Sequence, residues 1–262
     1  MVRENKASIL NIINPLKLRR RQSRYRQSVV SNNVSITVIG CVIKIVGYAG
    51  MVFLMASILM VTAGRFLSPP ISAFMLHKHI DDFVDRKGYR PIKQNWVNNS
   101  QISKYALLAV VASEDQRFYQ HHGFDVDAIY KAYQKYQHGG KLRGASTISQ
   151  QVAKNLFLSP ARNFVRKALE IWFTFLIETL WSKSRILEIY LNIAEFGDHI
   201  YGIEAASRHY FGVSARQLSG SQAALLAATL PNPIMLNAAK PSNYLLKRQQ
   251  WILGQMRNLS AS

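Results

Sequence analysis

Cysteine is all but missing from this 262-residue chain: Cys41 stands alone. A single thiol cannot close an internal disulfide, which suits a cytoplasmic protein or an exported one that relies on its core. No Cys/His run has the spacing of a metal site, no loop has the nucleotide-binding pattern, and no segment repeats. Strand-type alternation is missing outside short pieces, so the expected class is mainly α. Acidic residues are also scarce, 14 against 33 Lys and Arg, giving a formal charge of +19. The shortage is sharpest in residues 1–44, where nine cations face Glu4 alone.

Residues 1–33 are polar and basic around Lys17–Arg26, a pattern that suits either nucleic acid or a membrane surface. The next stretch decides between them. Ile45–Ala63 carries no charge and is long enough to cross a bilayer of ~30 Å. Lys44 and Arg65 mark its edges. It is too long for a signal-peptide core of roughly 7–15 residues and starts too far from Met1. A buried core helix is disfavoured because nearly every position is apolar and the flank is basic. The excess of Lys and Arg before the span predicts a cytoplasmic N-terminus, with everything after the span outside. Three segments are therefore expected: a basic cytoplasmic stretch, 1–44; a transmembrane anchor, 45–64; and an extracytoplasmic domain, 65–262.

In that domain Ser113–Asp125 reads S-E-D-Q-R-F-Y-Q-H-H-G-F-D. It follows Tyr105–Ala112, which is apolar on every face and predicts a buried helix. A carboxylate at the end of such a helix is desolvated, which raises its pKa as a general acid or base requires. Arg117, three residues on from Glu114, is the cation expected to oppose that rise. A solvated acidic pair at a helix end is the equally weighted alternative.

Ser146 or Thr147 can cap a helix opened by Gln150 and Gln151, with Lys154 on the same face. Free N–H groups at that N-terminus suit a phosphate, although an ordinary capped helix fits as well. Ser159-Pro160 predicts the start of a long helix. Arg162, Arg166 and Glu170 would share one face of it, opposite a core face of Ile171, Trp172, Phe175, Leu176 and Leu180. Stacked over ~12 Å, the two guanidiniums and the carboxylate could grip a diphosphate. They could equally form intrahelical pairs worth ~0.2–0.5 kcal/mol each. Glu178 reads as structural. Further helices are predicted at Phe74–Arg86, Asp125–Gln137, Ser184–Glu195, Gly202–Tyr210, Gln222–Leu230 and Asn243–Asn258, with an irregular piece at Pro91–Trp96 and a loop at His138–Gly144. The helix after Asp125 carries Val126, Ile129, Tyr130 and Tyr133 at helical spacing.

Four motifs arrive in order over roughly Pro69–Leu236. They are Glu114-Asp115-x-x-Phe118 through His121, Gly123 and Asp125; Gly144-x-Ser-Thr-x-x-Gln-Gln-x-x-Lys-Asn155; Arg166-Lys167-x-x-Glu170; and Ile186-Leu-Glu-x-Tyr-Leu-Asn192 through Gly202 and Ala205-Ala206. Together they resemble the monofunctional biosynthetic peptidoglycan transglycosylases, whose family also supplies the glycosyltransferase domain of bifunctional penicillin-binding proteins. Ala145 stands where bifunctional relatives usually have glycine. With the chain ending at Ser262, no transpeptidase domain and no cross-linking are expected.

The resemblance implies a lysozyme-like, two-lobed helical fold acting on lipid II, a disaccharide-pentapeptide on undecaprenyl diphosphate. It implies Glu114 as the base acting on the acceptor's 4-hydroxyl, with inversion at the growing chain's anomeric carbon. Glu170 matches the second functional carboxylate, which would assist the leaving group, position basic residues or engage a divalent cation. Lys154, Arg162 and Arg166 would hold the diphosphate, and Arg117 with Ser146, Gln150 and Gln151 would orient sugars and phosphates. Asp115, Phe118, His121, Thr147 and Asn155 are carried along as substrate-side motif positions. The implied location is the bacterial inner membrane, with the catalytic domain periplasmic. Lipid II, the growing glycan and membrane lipids are the expected partners; cell-wall synthases and division proteins remain open, and nucleic acid is not expected. No cofactor is required by the resemblance, which leaves magnesium or manganese open.

The residue chemistry agrees independently. Cleaving a sugar–sugar bond needs an acid for a poor leaving oxygen, so glycosidases pair two carboxylates. A diphosphate leaves as a stable anion, so cations can replace that acid. A membrane-anchored lytic muramidase and a non-catalytic basic scaffold are the alternatives. Neither accounts for the Gln-Gln-x-x-Lys and Arg-x-x-x-Arg-x-x-x-Glu faces.

Overall fold

The structure, a computed structural model, describes residues 15–86, 88–140 and 146–261, with side chains from Gly40 onward. Residues 1–14 of the basic segment 1–44, the side chains of 15–39, and Gly144-Ala145 of the second motif therefore lie outside what is described. Two compact units divide between Ser57 and Ile58. The first is helical from Pro15, the start of α1 (Pro15–Phe66). Within α1, the 27 residues Gly40–Phe66 hold an 18-residue window of mean hydropathy 2.1, long and apolar enough to cross a membrane. It extends the predicted span by a few residues at each end. Its side chains from Val42 to Met55 are largely exposed, as a lipid-facing helix requires.

The second unit starts with the last turns of α1. Val61 is fully buried, and its carbonyl accepts from the Trp181 indole at 2.7 Å. Arg185 donates to the carbonyls of Gly64 and Leu67. Nine further helices follow among the described residues: α2 (Ala73–Val84), α3 (Lys104–Glu114), α4 (Val126–Gln137), α5 (Ile148–Phe157), α6 (Phe164–Leu180), α7 (Lys183–Ile193), α8 (Ile203–Phe211), α9 (Gly220–Thr229) and α10 (Asn243–Ala261). A two-stranded antiparallel ribbon, β1 (Glu195–Gly197) with β2 (Ile200–Tyr201), sits between α7 and α8. The mainly-α expectation is met.

The all-round apolar helix lies where its composition demands. Ala106, Ala109, Val110, Val111 and Ala112 of α3 are buried, and α9 and α10 pack against it. Ser103 caps it and donates its hydroxyl to Leu218 O at 2.9 Å, tying the start of α3 to the chain before α9. Helix α7 is buried along nearly its whole length. Its Asn192, fully buried, accepts from Val97 N and donates to the carbonyls of Val97 and Glu188. The Asn of the fourth motif is thus a brace for the irregular segment before α3. Gly202 follows with φ +82, where a Cβ would lie 2.8 Å from Asn192 O, so only glycine fits this corner.

Three expectations are corrected. Helix α6 begins at Phe164, not Ser159-Pro160, because Asn163 accepts from Arg166 N and caps it. Arg162 therefore precedes the helix. The buried stripe of α6 is Glu170, Phe173, Thr174, Leu176 and Ile177; of the predicted core face Leu176 is buried and Trp172 and Leu180 pack partly buried against the core, while Ile171 and Phe175 are exposed. Packing against α5, with Phe157 stacked on Phe173 at 4.6 Å, sets that rotation. Helix α7 ends at Ile193 and passes into β1 rather than continuing to Glu195. The helix predicted after Asp125 is present as α4, and its Val126, Ile129, Tyr130 and Tyr133 face solvent.

Candidate active site

Helix α3 delivers Glu114 as its last residue, and the backbone then turns away at Asp115 with φ −161. The Asp115 carboxylate is buried, accepts the Ile148 N–H at 3.1 Å and faces His121 Nε2 at 2.9 Å. It fastens the end of α3 to the start of α5. Phe118 is wholly buried beneath Lys183, whose ammonium lies 4.4 Å from the ring. Lys183 also donates to His121 O and pairs with Glu178. Asp115, Phe118 and His121 thus support the site from behind.

Each oxygen of Glu114 has its own neighbour. Gln151 donates Nε2 to Oε2 at 3.0 Å, and Tyr190 OH donates to Gln151 Oε1 at 3.1 Å, fixing which way the amide points. On the other side Arg248 of α10 lies 3.5 Å from Oε1, and the Ser113 hydroxyl is also 3.5 Å away. Burial pushes the Glu114 carboxyl above its ordinary value; hydrogen bonds and the Arg248 charge offset only part of that rise. Arg117, the cation expected here, instead pairs with Asp125 at 3.2 Å and with Asp127. It faces Glu114 only across a cleft of about 250 Å³, also lined by Ser146 and Thr147.

A second cleft of about 350 Å³ adjoins the first at Ser146 and is walled by Gln151. Lys154, Arg162, Arg166 and Lys167 line it, against the carboxylate of Glu170. Glu170 is buried, with one oxygen 2.5 Å from Arg166 and the other 2.5 Å from Lys167. A divalent ion bound by Glu170 would have to displace both cations, so these residues do not fit a protein-held metal. Lys154 lies 5.5 Å from the Phe74 ring of α2, and burial holds its ammonium below the ordinary lysine value. Thr147 caps α5 in a reciprocal box with Gln150 and donates to Gly123 O, so both serve the backbone. Asn155 is half-buried, and its Oδ1 has no partner among the described residues.

The folded chain thus brings Glu114, Gln151, Ser146, Lys154, Arg162, Arg166 and Glu170 into one continuous groove. Sequence reasoning missed Arg248, Tyr190 and Phe74. Lys167 was legible as the third-residue partner of Glu170. Arg248 and Phe74 reach the groove through tertiary packing, and no local spacing signals that.

The model of a family described as Transglycosylase matches residues 81–257. A biosynthetic peptidoglycan transglycosylase of Pasteurella multocida (strain Pm70) is 53% identical over 204 residues, covering 78% of this chain and 83% of the relative. One of Chromohalobacter salexigens is 51% identical over 215 residues, 82% of this chain and 92% of its own length. One of Pseudomonas fluorescens (strain Pf-5) is 48% identical over 212 residues, 81% and 88% respectively.

Proposed function

The chain belongs to the transglycosylase family and is a glycosyltransferase of peptidoglycan, and from that premise we propose that it polymerises lipid II with Glu114 as the base. Glu114 takes the proton of the acceptor's 4-hydroxyl. That oxygen bonds to the anomeric carbon of the growing chain with inversion, and the bond to the lipid diphosphate breaks. The leaving diphosphate settles among Lys154, Arg162, Arg166 and Lys167.

One observation carries this reading: a desolvated carboxylate in one cleft adjoins a second cleft in which four cations surround one carboxylate. Glu170, with both oxygens ion-paired, is unavailable as the acid a glycosidase needs. Cations replace that acid by stabilising the leaving anion, and Glu170 organises two of them. Purified full-length protein in detergent, given labelled lipid II, should yield uncross-linked glycan. Shortening of pre-formed glycan without polymer growth would replace this reading with a lytic one.

The apolar helix in α1 fits a single-pass anchor. The basic flank before it supports a cytoplasmic N-terminus, an extracytoplasmic domain and placement in the inner membrane, where lipid-borne substrate resides. A reporter active only outside the cytoplasm, fused after Ser262, should be active; activity only from inside would reverse the orientation and remove the substrate assignment.

The two displaced titrations set a pH profile. Glu114 must be ionised to act, and its raised pKa means activity is lost as pH falls through a value above the ordinary 4.5. Lys154 must be charged, and its lowered pKa means activity is lost as pH rises through a value below 10.5. The profile of kcat/KM should be a bell narrower than those two limits. Lys154→Arg keeps the charge at all accessible pH and should move the alkaline limb upward.

A further inference from the structure

We propose that Arg248 is a positioning residue for the reaction, holding the Glu114 carboxylate toward the acceptor from the side opposite Gln151. The inference rests on the reading of Glu114 as the base. Three observations support it. Arg248 Nη2 lies 3.5 Å from Glu114 Oε1, while Gln151 Nε2 lies 3.0 Å from Oε2, so the carboxylate is held from two sides. Both partners are themselves held, Gln151 by the Tyr190 hydroxyl and Arg248 by the packing of α10 on α3 and α9. The Arg248 Nε is buried and has no hydrogen-bond partner among the described residues, so the ion pair with Glu114 is the contact recorded for its guanidinium there.

The geometry is a compromise. A bidentate guanidinium at normal hydrogen-bond distance would bind the ionised carboxylate so well that it lost basicity. A single contact at 3.5 Å keeps the carboxylate oriented and ionised while desolvation leaves it basic. The other ionisable groups facing this carboxylate or its cleft are Lys154 from α5, Tyr190 from α7, and Arg117 and Asp125 across the cavity. Neighbouring Asp115 is turned away to His121.

The experiment compares the full chain in detergent with Arg248→Ala and Arg248→Lys, using lipid II. An opposite charge within a few ångströms typically lowers a carboxyl pKa by about one unit or more. Arg248→Ala should therefore move the acid limb of kcat/KM upward by about one pH unit. It should also slow turnover near neutrality by about tenfold, with part of that loss recovered at higher pH. Arg248→Lys should restore part of both. Affinity for a phosphoglycolipid inhibitor of the moenomycin type should stay within about twofold, because the cationic cleft is untouched. A rate that falls equally at every pH, with the acid limb unmoved, would make Arg248 a packing residue and overturn the proposal. If Arg248→Ala unfolds, Arg248→Gln, which keeps stem and hydrogen-bonding reach without charge, is read by the same limb. Glu114→Gln separates the two failures. If that variant is inert while the limb of Arg248→Ala stays put, only the role of Arg248 falls; if it still polymerises, the base assignment falls with it.

Discussion

Glu114→Gln is expected to make almost no glycan, slowed by ~10²–10⁴-fold as removal of a general base typically is, while still binding a moenomycin-type inhibitor. The amide keeps the length and one oxygen of the carboxylate, so it can still accept from Gln151 or lie beside Arg248. It cannot take the acceptor's proton. The cations that would hold a phosphoglycolipid line the adjoining cleft, beyond Ser146, and do not depend on the residue at 114. Turnover and inhibitor affinity should therefore separate cleanly. Substantial polymerisation by this variant would leave the groove without a base, since Asp115 is buried against His121 and Ile148 and Glu170 is paired with two cations.

The second large effect concerns the cationic cleft. Charged hydrogen bonds are worth ~1.5–3 kcal/mol each, so losing one costs roughly 10- to 150-fold. Lys154→Ala and Arg162→Ala should each lose turnover on that scale while the helical circular-dichroism signal persists. Lys154, desolvated within the cleft, should cost more than Arg162, which is exposed and better screened. Glu170→Gln should weaken donor and inhibitor binding together, because Arg166 and Lys167 lose the carboxylate that holds them at 2.5 Å. Near-normal turnover in both cation variants would reduce these residues to a solvated charged face.

What the sequence made legible was mostly local. The Thr147–Gln150 cap, the buried α3 and the pairing around Glu170 depend on residues three or four positions apart, and each is present. The start of α6 was misplaced because Ser159-Pro160 and Asn163 are both valid helix starts, and sequence alone does not rank them. The buried face of α6 was misjudged in part, right at Leu176 and wrong at Ile171 and Phe175, because hydrophobicity does not say which side meets α5. Ile171 and Phe175 stayed outside while the charged Glu170 went in, its cost offset by two cations. The cation beside Glu114 was misassigned for a similar reason. Arg117 is near in sequence, but Asp125 and Asp127 claim it, and the vacancy is filled from α10.

The last turns of α1 belong structurally to the catalytic unit. A protein chemist who trims the hydrophobic helix up to Phe66 to obtain a soluble enzyme removes more than a handle. Val61 leaves a hole in the core, the Trp181 indole loses its acceptor, and Arg185 loses the Gly64 carbonyl that accepts from both its Nε and Nη2. Each orphaned buried donor costs ~1–3 kcal/mol, out of a total stability of roughly 5–15 kcal/mol for a typical domain. Solubility and integrity therefore pull the choice of cut site in opposite directions. A cut just before Ile58 preserves the seam and leaves Ile58, Leu59, Met60, Phe66 and Leu67 as the exposed apolar remnant that detergent must cover.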